Sequence, residues 1–300
     1  MRPPTVLRLS RALNGSRRMP NALPLLRRYS AASPSNPPLT IETLPAPHTG
    51  LIKLLLLSRP AAKNALSKQL VSELTRFLAP IHSGEDLKTR ALVIGSAVPG
   101  VFCAGADLKE RRSMTRQDVD TFLADLRGLL KMLETLPIPT ISAISGFALG
   151  GGLELALATD IRIVAPAAQL ALPETRLGII PGAGGTYRLP RLVGQSRALD
   201  IVLSGRRVGA IEAVHIGLAN RIVDVGPDEE GRERTIDAAV EVAQEICTGA
   251  PQAVRIAKRV VIAEDEEAEN RGYLEVVGTK DRNEALKAFA EKRKPVFSGL

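Results

Sequence analysis

Gly146-Phe147-Ala148-Leu149-Gly150-Gly151-Gly152-Leu153-Glu154 follows directly on a short apolar run at 140–145. That run has the length of a buried strand, and the residues after the glycines are good helix formers. The stretch therefore predicts a strand, a tight glycine turn and a helix. Working outward, the same alternation recurs. Residues 51–57 form an apolar strand-like run stopped by Ser58-Arg59-Pro60, and 67–78 predicts a helix with Leu70, Leu74 and Phe77 on one face, ended by Pro80 and Gly84. A second buried strand is expected at 91–94, and a long helix at 118–136 stops at Pro137 and Pro139. Strands alternating with helices predict an α/β fold of right-handed βαβ units, with helices covering the sheet. Beyond Gly226 the pattern turns helical over 228–248, 251–268 and 283–291. No internal repeat is evident.

A second glycine turn, Phe102-Cys103-Ala104-Gly105-Ala106-Asp107-Leu108-Lys109, resembles the first in placing small residues after a strand and loop. Small residues let backbone approach a ligand, and a helix N-terminus presents unpaired N–H groups with a partial positive charge. Two such turns side by side would form an oxyanion hole. Taken alone, the glycines would only permit close strand-to-helix packing. Neither a P-loop nor a GxGxxG fingerprint is present. In a third segment, Pro173-Glu174-Thr175-Arg176-Leu177-Gly178, an acid again lies in an apolar, glycine-rich stretch that runs on to Gly185. Glu154 has a similar setting between Leu153 and Leu155. Acids in apolar settings resist ionisation, as acid–base catalysts do.

The chain has 300 residues, 45% of them hydrophobic, enough for one large domain or two smaller ones, while aromatics make up 3%, so the core is aliphatic. Cys103 and Cys247 suggest no disulfide framework, and His48, His82 and His215 follow no metal-ligand pattern. No apolar run reaches the roughly 20 residues that span a bilayer. Of the net charge of +8, seven arginines lie in residues 1–30 with no acid, so the rest of the chain is close to neutral at +1. An arginine-rich, acid-free stretch with serines and leucines has the composition of a mitochondrial transit peptide, with cleavage expected near Tyr29/Ser30 and delivery to the matrix. Residues 31–50, rich in Ser, Pro and Ala, predict a linker, followed by a core over 51–225 and a helical region over 226–300.

These ordered segments resemble the crotonase (enoyl-CoA hydratase/isomerase) superfamily from about residue 51 onward. The likeness includes Arg59-Pro60, Asn64-Ala65-Leu66, both glycine turns, Pro173-Glu174 and the tail Ala288-Phe289-Ala290-Glu291-Lys292-Arg293. Residues 98–111, 63–68 and 279–282 look most like its methylglutaconyl-CoA hydratase members. The resemblance implies a crotonase-like spiral of ββα units with a C-terminal helical assembly region, forming a trimer or a dimer of trimers. It implies that the N–H groups of Ala106 and Gly151 bind the thioester oxygen. Ala65, Ala104, Asp107, Leu108 and Lys109 would wrap the CoA, largely through backbone groups, and Phe289 and Lys292 would reach CoA from the tail, sometimes across a subunit boundary. Glu154 and Glu174 would be the catalytic pair.

The expected reaction is addition of water to an enoyl-CoA. Glu154 would deprotonate the water and Glu174 would protonate the α-carbon, with no metal or redox cofactor required. An enoyl-CoA isomerase is the nearest alternative, disfavoured because both hydratase positions are filled. Should the acyl group be 3-methylglutaconyl, its distal carboxylate calls for a cation, with Arg111, Arg112, Arg116, Lys131 and Arg188 as candidates. A reading of another class is RNA binding through Lys63, Lys68, Arg76 and Lys88. Glu73 interrupts that comb, and phosphate-driven binding would be weak and salt-sensitive.

Overall fold

The computed structural model describes residues 37–225 and 231–300. The expected leader at 1–30 lies outside these residues. In chain order the elements begin with strands β1 (Leu39–Pro45) and β2 (Leu51–Leu57), helix α1 (Lys68–Ser83), and strands β3 (Thr89–Ser96) and β4 (Val101–Cys103). Helices α2 (Leu108–Arg112) and α3 (Arg116–Glu134) precede β5 (Thr140–Ile144), β6 (Phe147–Leu149), α4 (Gly151–Leu157), β7 (Ile161–Val164) and β8 (Gln169–Ala171). A 3-10 turn at Glu174–Leu177 leads to α5 (Gly185–Val193), α6 (Gln195–Ser204), β9 (Val208–Gly209), α7 (Ala210–His215) and β10 (Arg221–Ile222). Helices α8 (Gly231–Cys247), α9 (Pro251–Ala263), α10 (Glu266–Val277) and α11 (Lys280–Ala290) complete the described chain.

Two sheets result. One has the order β1-β2-β3-β5-β7-β10 and the other β4-β6-β8-β9. Within the first only β1 is antiparallel to its neighbour, and within the second only β9. Each turn of the chain contributes one strand to each sheet, as β3 and β4, β5 and β6, and β7 and β8. The corners between these strands stack: Phe147 N–H donates to Gly100 O at 3.2 Å, and Gln169 N–H to Gly146 O at 3.3 Å. A Cβ at Gly146 would lie 2.1 Å from that Gly100 oxygen, so the corner accepts only glycine. Leucine, isoleucine, valine and alanine from both sheets, α1, α3 and α4 fill one core.

Three expectations change. The linker expected over 31–50 contains β1, which pairs with β2 along all seven residues. Its proline- and threonine-containing sequence hides the strand because only Leu39 and Leu44 of β1 are buried. Helix α1 passes through Pro80 to Ser83 and stops at Gly84, whose φ is +83°. The carbonyl left without a partner belongs to exposed Arg76, where water can serve it, and buried Ile81 holds the last turn to the core. The helix expected at 251–268 breaks at Glu264, in the left-handed region at φ +51°, and Asp265 caps a separate α10.

Candidate active site

Glu154 sits on the short helix α4 and is 2% exposed. Its Oε1 accepts from the N–H groups of Ala183 and Gly185, both at 2.8 Å. A Cβ at Gly185 would stand 3.1 Å from that oxygen and 2.9 Å from a Leu172 methyl, so glycine makes room for the carboxylate. Burial pushes the Glu154 pKa up, while the two N–H donors and the nearby Arg188 and Arg127 pull it back.

Glu174 opens the 3-10 turn after β8 and is 8% exposed. Its Oε2 is buried and has no hydrogen-bond partner among the described residues. Burial raises its pKa to about 7, and the charge on Glu154 adds to the rise. The other oxygen, Oε1, lies 2.9 Å from where a Cβ of Gly150 would be, directly at the turn that opens α4. Two buried carboxyls thus share one site in unlike settings, Glu154 held by two backbone donors from the 183–185 segment and Glu174 with one oxygen left without a partner.

The two glycine turns meet beside them. Leu66 N–H donates to Gly105 O at 2.7 Å and Asp107 N–H to Leu66 O at 3.1 Å, a parallel bridge that points the Ala106 N–H the other way. A Cβ at Gly151 would lie 3.6 Å from Ala106 N, and one at Gly105 would lie 3.5 Å from Gly151 N. Among the described residues neither the Ala106 nor the Gly151 N–H has an acceptor. At Gly105, φ is +98° and a Cβ would meet Leu149 O at 2.8 Å, so the turns approach this closely only with glycine there.

Behind the turns lies a polar hub. Asn64, fully buried at φ +57°, accepts from Arg59 N–H at 2.8 Å and donates to Ser96 Oγ at 2.8 Å and Phe102 O at 3.0 Å. Arg59 pairs with Asp107 at 3.1 Å and donates to Ala65 O. Asp107 also caps α2 by accepting from Lys109 and Glu110 N–H groups. Sequence reasoning placed Asp107 at the CoA site but missed this structural duty. Ala104 donates to Lys63 O at 3.1 Å. Leu108 and Lys109 are exposed at the start of α2. The structure thus gathers Ala65, Ala104, Ala106, Asp107, Leu108 and Lys109 along one edge of the turns. Phe289, 85% exposed, and Lys292 lie at the end of α11, and no hydrogen bond or ion pair among the described residues ties them to the glutamates.

Two cations considered for a distal carboxylate are already engaged. Arg188 is buried and pairs with Glu134 at 3.1 Å, and Lys131 pairs with the same carboxylate at 3.2 Å. Of the cations considered for RNA, Lys68 is held by Asp118 at 3.0 Å. A separate cavity of about 250 Å³ is lined by Arg221, Asp224, Arg234 and Glu241, and contains none of the expected site residues.

The family model for enoyl-CoA hydratase/isomerase matches residues 49–299. Methylglutaconyl-CoA hydratase 1, mitochondrial, of Pyricularia oryzae is 47% identical over 93% of this chain and 91% of that protein. Probable enoyl-CoA hydratase 2, mitochondrial, of Arabidopsis thaliana is 44% identical, covering 88% of each chain. Among solved structures, an enoyl-CoA hydratase from Bacillus anthracis superposes with a TM-score of 0.81 at 40% identity, over 88% of this chain and 100% of that one. With the ββα spiral, the paired glycine turns and the two buried glutamates in place, these likenesses establish that the chain belongs to the enoyl-CoA hydratase/isomerase family.

Proposed function

We propose that this protein is a mitochondrial enoyl-CoA hydratase, adding water across the 2,3 double bond of an acyl-CoA thioester. The observation that carries the reading is the pair of buried carboxyls in unlike settings. Glu154, with two N–H donors on one oxygen, is suited to hold charge and take a proton. Glu174, with an unpartnered buried oxygen and a pKa near 7, is suited to hold a proton and give it away.

In the proposed reaction Glu154 removes a proton as the water oxygen bonds to C3. The π electrons move toward C1, and the thioester oxygen becomes an enolate held by the Ala106 and Gly151 N–H groups. Glu174 then protonates C2, and the carbonyl reforms. A proton passing from Glu154 to Glu174 resets the pair. Proton transfer and N–H dipoles supply the chemistry, so no metal or redox cofactor is called for. An isomerase can work with one carboxylate, and the presence of both favours hydration.

The proposed acyl group is 3-methylglutaconyl, the one in the name of the Pyricularia relative. Arg111 and Arg112, at the end of α2, and Arg116, at the start of α3, are the remaining candidates for its distal carboxylate. The exposed large apolar side chains Tyr273 and Leu274 on α10 and Phe289 on α11 support assembly into a trimer or dimer of trimers. In that assembly Phe289 and Lys292 would complete a neighbour's CoA site.

Glu154→Gln and Glu174→Gln should each lower turnover of crotonyl-CoA and 3-methylglutaconyl-CoA by about 100-fold or more while leaving acyl-CoA affinity within a few-fold. Near-normal hydration by either variant would overturn the assignment. A substrate panel measured on the parent enzyme decides the acyl group.

A further inference from the structure

The segment 182–185 that holds Glu154 is itself held from outside. Arg127 on α3 donates through Nε to Gly182 O at 2.6 Å. Arg188 on α5 donates through Nη1 to Ala183 O at 2.9 Å, and its Nη2 pairs with Glu134 at 3.1 Å. Gly182 C=O and Ala183 N–H belong to one peptide unit. The guanidinium of Arg127 therefore acts on one end of the amide whose other end donates to Glu154 Oε1. Hydrogen bonds in such a chain polarise one another. Leu123, Arg127, Lys131 and Glu134 form one stripe of α3 at helical spacing, and a Cβ at Gly182 would touch Leu123 at 3.4 Å, so this stripe faces the segment.

We infer that Arg127 and Arg188 are positioning residues for Glu154: by clamping the carbonyls of Gly182 and Ala183 they aim the N–H groups that hold its carboxylate and favour its ionised, proton-accepting form. Glu174 has no such clamp. The two arginines are thus the device that sets the members of the pair apart. The charged groups facing Glu154 are Glu174 from the 3-10 turn, Arg127 from α3 and Arg188 from α5. Behind Arg188, Glu134 also draws Lys131 and Arg191. The inference rests on the hydratase reading, in which Glu154 is the base.

The test is the pH dependence of kcat/KM for crotonyl-CoA. Arg127 is exposed, so Arg127→Ala should fold. Its activity relative to the parent should fall toward low pH, by roughly threefold more at about pH 6 than at about pH 9. The loss should appear in kcat, with KM and the affinity for a saturated acyl-CoA little changed. Arg127→Lys, which keeps the charge, should recover part of the loss, and Arg188→Gln, which removes it, should show the same pH-dependent pattern as Arg127→Ala. A loss equal at every pH, or no loss at all, would overturn the inference. Glu154→Gln in the same assay separates the two questions: full activity in that variant removes the hydratase assignment itself.

Discussion

At Glu174 burial works against ionisation, and the consequence extends from chemistry to stability. An acid whose pKa is raised to about 7 in the fold binds a proton that the unfolded chain gives up near the ordinary value of 4.5. Below both values the group has no effect on stability. As pH rises from about 4.5 to about 7 the fold loses stability, and above that window the loss is complete. Glu174→Gln should therefore raise Tm relative to the parent at about pH 8, by roughly 3 °C, with the difference shrinking toward about pH 4.5. Thermal unfolding across pH reads this directly, and a difference independent of pH would refute it. Both glutamates were legible as acids in apolar, glycine-rich surroundings. Their unlike partners were not, because the donors to Glu154 come from Ala183 and Gly185, whose place beside it depends on the tertiary fold.

Among the connections between elements, the one from β2 to α1 has the most demanding geometry. Lys63 and Asn64 lie consecutively at φ +50° and +57°, a conformation asparagine tolerates better than most residues. The Asn64 amide ties this connection to Ser96 at the end of β3 and to Phe102 in β4. Asn64→Ala should cost about 3 kcal/mol in denaturant unfolding, through the lost bonds and the buried groups left unpaired. Because Phe102 precedes the turn that carries Ala106, kcat should fall as well; unchanged kcat with lowered stability would separate the hub from the site. Strong periodicity made α1, α3, β2 and β3 readable from sequence. It failed at β1, which buries only two side chains, and at the α9–α10 break, where Glu264 interrupts an otherwise continuous helical pattern.

Across the whole molecule, cationic side chains fasten the C-terminal helices to the sheets. Buried Arg90 on β3 donates to Thr49 O, Cys247 O and Gly249 O, joining the β1–β2 turn to the end of α8. Lys258 on α9 reaches Asp160 and Ile138 O, both at 2.8 Å. Charge-assisted bonds to partly buried carbonyls are strong, and breaking them leaves the acceptors without these partners. Arg90→Ala should lower stability by about 3 kcal/mol and increase hydrogen exchange first in the last turn of α8. Uniform exchange across the fold would argue against a local fastening. None of this was legible in advance: Arg90 and Lys258 lie in ordinary strand and helix sequence, and their partners are remote backbone carbonyls.

Strand β1 closes one edge of the six-stranded sheet and pairs with β2 from Leu39 to Pro45. It thereby sets a limit on any trimming from the N-terminal side. A cut near Tyr29/Ser30 falls upstream of the ladder and leaves every pair intact. A cut beyond Pro45 would strip the cover from β2, a run of buried leucines, and expose an apolar sheet edge ready to pair with another chain. The fold itself thus sets how far the N-terminal segment could be trimmed while leaving a protein that stays apart from its copies along that edge.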